Sequence, residues 1–169
     1  SAAKKLGDFY ARGRGVPPDP GRAADWYRMA VDAGDVSAAA DLAGLYADGK
    51  GIGKDDARAA AYYRQAAEGG DASAAKHLGD FYAEGRGVAS DLAQAAAWYR
   101  RAAEAGDASA AASLADLYAG GLGVARDMGE AIAWYRAAAE GGDAAAAESL
   151  GDLHAKGQGV PQDYGKAAA

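Results

Sequence analysis

The stretch Leu78-Gly79-Asp80-Phe81-Tyr82-Ala83-Glu84-Gly85-Arg86-Gly87-Val88-Ala89-Ser90-Asp91 decides the fold, because its pattern returns along the whole chain. Leu6, Leu42, Leu78, Leu114 and Leu150 stand 36 residues apart. The glycine pairs Gly13/Gly15, Gly49/Gly51, Gly85/Gly87, Gly121/Gly123 and Gly157/Gly159 keep the same phase, as do Asp19, Asp55, Asp91, Asp127 and Asp163. Trp26-Tyr27-Arg28 returns as Tyr62-Tyr63-Arg64, Trp98-Tyr99-Arg100 and Trp134-Tyr135-Arg136. No insertion or deletion breaks the period, and such a period marks a repeat array. The copies read 1–36, 37–72, 73–108 and 109–144, with a partial copy over 145–169, in one domain over 1–169.

Within a copy the apolar spacing is helical. Ala74, Leu78, Phe81 and Tyr82 fall at i, i+4, i+7 and i+8, one face of a first helix. Asp71 or Ser73 can cap its start, and Gly85 follows its end. The phased serines Ser1, Ser37, Ser73 and Ser109 read as caps too. Asp91 caps a second helix, whose stripe runs Ala95, Trp98, Tyr99, Ala102 and Ala103 and closes at Gly106. Val88, and Ile52 in the second copy, read as apolar plugs under the turn. Two such short helices cannot bury their faces alone, whereas stacked neighbours can. The expectation is an all-α solenoid of helix-turn-helix repeats.

Composition fits only that arrangement. Of 169 residues, 25 are glycine and the apolar half of the chain is mostly alanine, with Leu, Ile, Val and Phe together at about 12%. A chain so poor in large aliphatics would verge on disorder, yet ten Tyr and three Trp argue otherwise. The small residues beside each repeated Leu (Gly7, Ala43, Gly79, Ala115, Gly151) let helices approach closely, and the Trp-Tyr pairs supply bulk. On that reading Trp98→Ala costs about 3–5 kcal/mol.

Several chemistries are excluded. The chain has no cysteine, hence no disulfide or thiolate site. It has no run of 18 or more apolar residues and opens without an apolar signal stretch. A net charge of −6 and a pI near 4.9 argue against nucleic-acid binding. Pro18 stands where a dinucleotide fingerprint would need its third glycine, and Gly53-Lys54 is followed by Asp55 rather than Ser or Thr. The repeated Asp residues are spaced as helix caps. His77 reads as an exposed helix residue and His154 as a core aromatic. Neither belongs to a metal-ligand spacing or catalytic constellation, so no enzyme, metal or cofactor is expected.

The motif set Leu78-Gly79, Tyr82, Gly85-Arg86-Gly87-Val88, Asp91, Ala95, Trp98-Tyr99, Ala102-Ala103 and Gly106 resembles the Sel-one-like repeat family, relatives of the tetratricopeptide repeats. The resemblance covers essentially the whole chain. Tyr62 replaces the repeat Trp and His154 the repeat Tyr. It implies a right-handed α/α superhelix acting as a non-catalytic adaptor or scaffold for protein partners. The cysteine-stapled members linked to β-lactam binding find no counterpart in a chain without cysteine.

The same resemblance places the first helices on the concave side. Positions free of the buried stripe then form a binding face of Lys5, Asp8, Arg12, Asp41, Asp48, His77, Asp80, Glu84, Ser113, Asp116, Asp152 and Lys156. Its acidic middle suits a basic extended peptide or helix. The alternative is an idealised, designed scaffold with no natural partner. No polar capping helix closes the array, so its end is expected to fray or its ends to self-associate with another copy.

Overall fold

The computed structural model describes residues 1–158, all of whose regular elements are helical. Gly159, Asp163 and the expected fraying end lie outside the described residues. The helices gather into two compact units, residues 1–90 and residues from Asp91 onward. The first holds α1 (Ala2–Arg12), α2 (Pro20–Asp32), α3 (Ser37–Asp48), α4 (Asp56–Glu68) and α5 (Ala72–Glu84). The second holds α6 (Leu92–Glu104), α7 (Ala108–Gly120), α8 (Met128–Glu140) and α9 (Ala144–Lys156). In each unit every helix packs on the next in sequence.

Helix ends follow the repeated residues. The side chains of Asp19, Asp55, Asp91 and Asp127 accept hydrogen bonds from backbone N–H groups of the first turns of α2, α4, α6 and α8. The backbone N–H groups of Asp19, Asp55 and Asp127 reach back to the carbonyls of Tyr10, Tyr46 and Tyr118 at 2.9–3.0 Å. One residue thus starts the second helix and ties it to the first. The serine expectation needs correction. Asp71, Asp107 and Asp143 cap α5, α7 and α9, leaving Ser73 and Ser109 inside the helices. Ser1 does cap α1, whereas α3 begins behind Val36 with no side-chain cap and Ser37 Oγ donates to Asp35. A carboxylate one residue before the helix outcompetes a hydroxyl already inside it, because it bonds orphan N–H groups with charge assistance.

Alanine makes the core. Ala23, Ala24, Ala38, Ala39, Ala59 and Ala66 are fully buried in the first unit, with Leu42 and Leu78 as its largest enclosed side chains; Leu114 holds that place in the second. A Cβ on Gly7 would lie 2.5 Å from the Tyr27 ring, so the glycine makes room for the aromatic. Val88 and Ile52 are half-buried plugs.

The aromatic pairs divide their work, which corrects the expectation for Trp98. Tyr27, Tyr63, Tyr99 and Tyr135 are buried, whereas Trp26, Tyr62, Trp98 and Trp134 are only partly buried. Adjacent residues on a helix point about 100° apart, so only one of a pair can face the centre of the core. Trp98→Ala should therefore cost about 2–3 kcal/mol, at or below the low end of the expected range, since part of the ring keeps its solvent although its Nε1 is buried. Urea denaturation of that variant measures it, and a loss above about 4 kcal/mol would restore the tryptophan to the core.

The arginine of Trp-Tyr-Arg also has a fixed role. Arg28 donates to Tyr46 Oη at 3.3 Å, and Arg64 and Arg100 donate to Tyr82 and Tyr118, each reaching the first helix of the following repeat.

Candidate functional site

The first helices of unit 1 carry eight of the anticipated face residues: Lys5, Asp8 and Arg12 on α1, Asp41 and Asp48 on α3, and His77, Asp80 and Glu84 on α5. A cleft of about 440 Å³ brings Arg12, Asp41, Asp48 and His77 together. Ala40, Gly44, Tyr27 and Tyr63 complete much of its wall. Lys5, Asp8, Asp80 and Glu84 are not part of that wall. In unit 2, Ser113 and Asp116 lie on α7, and Asp152 and Lys156 on α9. Asp152 lines a shallow cavity of about 320 Å³ with Ala145, Glu148 and Ser149. A larger cavity of that unit, about 560 Å³, is built by Arg100, Glu104, Tyr118, Arg126, Glu130 and Trp134, none of them in the anticipated face.

Neighbours engage the carboxylates of the first-helix face. Lys4 binds Asp8 at 3.4 Å and Asp41 at 2.6 Å, joining α1 to α3. Asp48 pairs with Lys50, Asp80 with Lys76, Glu84 with Arg86 and Asp152 with Lys156. Tyr27 Oη donates to Asp8 at 2.9 Å, and Tyr135 Oη donates to Asp116. His77 is exposed; its ring centroid lies 5.0 Å from that of Tyr63, and its Nδ1 lies 3.8 Å from Asp80. His154 is buried at 7% exposure, as a core aromatic would be.

The second repeat differs. Where the first and third carry the ion pairs Lys4–Asp8 and Lys76–Asp80, the second has Ala40 and Gly44. Tyr63 occupies the position of Tyr27 and Tyr135, is 7% exposed, and its hydroxyl has no hydrogen-bond partner among the described residues. A Cβ on Gly44 would meet only that hydroxyl, at 3.8 Å. The substitution of Asp by Gly at this register was visible in the sequence. Its consequence was not, because the tyrosine that loses its acceptor sits 19 residues further on.

These environments hold the phenols protonated. Burial foremost, then the bond to Asp8 or Asp116, pushes Tyr27 and Tyr135 well above the ordinary range. Burial, then the nearby Asp48 carboxylate, raises Tyr63. Tyr46 moves the other way: burial alone would raise it, but hydrogen bonds from Arg58 and Arg28 outweigh burial. For a group raised in the folded state, the stabilisation is complete below the unfolded value near 10 and drains as pH rises through the folded value. Stability should therefore fall above about pH 10, by up to about 1.4 kcal/mol per pH unit for each raised tyrosine. Urea midpoints taken from about pH 9 to about pH 11 check this, and Tyr27→Phe should flatten the decline.

Among the described residues no group of three or more His, Asp or Glu could hold a metal ion, and no helix is long and apolar enough to cross a membrane.

Comparison with known proteins agrees with this architecture. The Sel1 repeat pattern matches residues 1–35, 36–71, 72–107, 108–143 and 144–169. A protective antigen present in uropathogenic Escherichia coli strains, displaying an SLR fold, is 38% identical, with a TM-score of 0.96 over 98% of this chain and 36% of its own. A Sel1 repeat protein from Oxalobacter formigenes is 37% identical, with a TM-score of 0.95 over 99% of this chain and 69% of its own. The chain thus spans about a third of the first relative's length. The Helicobacter pylori cysteine rich protein B, 23% identical with a TM-score of 0.58 over 73% of this chain and 93% of its own, shares the fold. No curated protein matches the sequence. Sel1 repeat proteins generally mediate protein–protein interaction and are typically non-catalytic scaffolds. With five repeat matches end to end and an all-helical solenoid fold, the chain belongs to the Sel1 repeat family.

Proposed function

We propose that the chain is a non-catalytic interaction module that docks a protein or peptide on the face of its first helices, the concave side by family resemblance. One observation supports this reading: Arg12, Asp41, Asp48 and His77, from α1, α3 and α5, line one open cleft. The net charge of −6 and the exposed Asp48, Glu84 and Asp116 favour a partner that presents basic side chains. The carboxylates' existing ion pairs are mostly solvated and worth about 0–1 kcal/mol each, so a partner can exchange them. Two bacterial relatives at 37–38% identity support a natural module over an idealised scaffold without a partner.

The test has two stages. Affinity capture with the isolated chain, read by mass spectrometry, names a partner. Asp41→Lys with Asp48→Lys, both on the cleft wall, should then weaken that partner at least about tenfold, the scale of one to two lost charge contacts. Unchanged affinity would remove the first-helix face from the interaction. No enriched protein would favour the scaffold reading.

A further inference from the structure

We propose that the notch at Ala40, Gly44 and Tyr63 is an arginine subsite, taking the guanidinium of a partner peptide in place of the ion-pair residues that the second repeat lacks. This rests on the docking reading above and names what enters the cleft.

In the first repeat, Lys4 Nζ lies 5.7 Å from the Tyr27 ring centroid and bonds Asp8, which also accepts the Tyr27 hydroxyl. A cation, a carboxylate and a phenol close the site from within. In the second repeat, alanine and glycine remove both charged side chains and leave the phenol behind. Tyr63 is more than nine-tenths buried, lines the cleft, and its hydroxyl is unpaired. That hydroxyl opens on the cleft with no partner among the described residues, so it is free to exchange water for a donor on a bound group.

The surroundings select a cation. Carboxylates of Asp41, Asp48 and Asp71 share the cleft wall with Arg12 and Lys50; Lys4 holds Asp41 and Lys50 holds Asp48, both in surface pairs that an incoming guanidinium can exchange. Of the charged groups that act on the Tyr63 hydroxyl, Asp48 and Asp80 are negative and Arg86 is positive. A second carboxylate entering the notch would be repelled, whereas a guanidinium would be attracted. Arginine is favoured over lysine by the chain's own habit. Guanidinium groups sit on tyrosine hydroxyls at Arg22–Tyr10, Arg28–Tyr46 and Arg58–Tyr46, in two cases with the cation also over the ring. A planar fork can donate to phenol oxygen and carboxylate together, which a point-like ammonium does less well.

The probes are three capped tripeptides, acetyl-Ala-X-Ala-amide with X as Arg, Gln or Glu. Each is titrated at millimolar concentration into the full chain labelled with nitrogen-15, with amide shifts followed. The Arg probe should give saturable shifts at Gly44, Tyr63 and His77, with Gln and Glu at least about tenfold weaker. Ala40→Lys, which restores the lysine of the first and third repeats, should abolish binding with the melting temperature unchanged. Tyr63→Phe, which keeps the ring and its packing, should weaken binding about fivefold, the scale of one hydrogen bond. Equal or tighter binding of the Glu or Gln probe overturns the subsite, as does an Ala40→Lys or Tyr63→Phe variant that binds normally. Shifts at other first-helix positions without Gly44 and Tyr63 overturn the subsite while leaving the docking face standing. Shifts at no first helix overturn both.

Discussion

Gly87→Ala should cost about 3–4 kcal/mol, among the largest losses available to any single methyl group in this chain. Gly87 has φ +65, where an L side chain costs about 1–2 kcal/mol. Space is the larger obstacle. A Cβ there would lie 2.2 Å from the carbonyl carbon of Asp56 and 2.4 Å from the Ala57 nitrogen, both backbone at the start of α4. Backbone cannot swing aside as a side-chain tip can, so the turn must lift off the preceding repeat. Arg86 would then lose its 3.1 Å contact with Asp56. Gly70→Ala is the control, because Gly70 has φ +97 and its Cβ would meet nothing within 4 Å. Its cost should be the strain alone, about 1–2 kcal/mol. Chemical denaturation of the two variants separates the explanations. Equal losses would mean that turn strain, not repeat contact, governs the glycine pair.

Leu78→Ala should cost about 3–5 kcal/mol. Leu78 has no exposed surface, and its buried neighbours on α5 are Ala74, Ala75, Gly79 and Phe81, of which the first three offer nothing that could fill the void and the last is a stiff ring already packed. A core built of methyl groups cannot collapse into a hole, because short side chains have no alternative rotamers to reach across it. The same substitution at Leu6 should cost under about 1 kcal/mol, since Leu6 is 38% exposed. Both residues hold the same place in the repeat. A similar loss for both would show that period alone sets the energy, and that burial does not.

Much of this was legible in the sequence, for a definable reason. Helix starts at Asp91 and Asp127, stops at Gly85 and the repeated buried leucine all depend on residues within one or two turns of each other, and local signals survive in a linear text. The split between Trp98 and Tyr99 was not legible, because both are large, aromatic and adjacent, and only the helix orientation against its neighbours tells them apart. Ser73 and Asp71 were equally open as caps until the helix boundary was known. The anticipated face residues were placed on first helices by their spacing and on the concave side by resemblance, and unit 1 gathers Arg12, Asp41, Asp48 and His77 at one cleft. The engagement of Asp41 by Lys4 and the stranded Tyr63 hydroxyl escaped notice, because each joins residues 19 or more positions apart.

The arginine bridges from Trp-Tyr-Arg to the next tyrosine carry a kinetic consequence. Arg28–Tyr46, Arg64–Tyr82 and Arg100–Tyr118 each close a loop of 18 residues, and even the Lys4–Asp41 pair spans barely one repeat. Little chain entropy must be surrendered before such contacts begin to reward folding. Nucleation can then begin within any neighbouring pair of repeats and spread outward. Refolding should accordingly be fast for a chain of this length, as it is for other proteins of low contact order. Under a pulling force the array should release its repeats one after another, like links paid out from a coiled line.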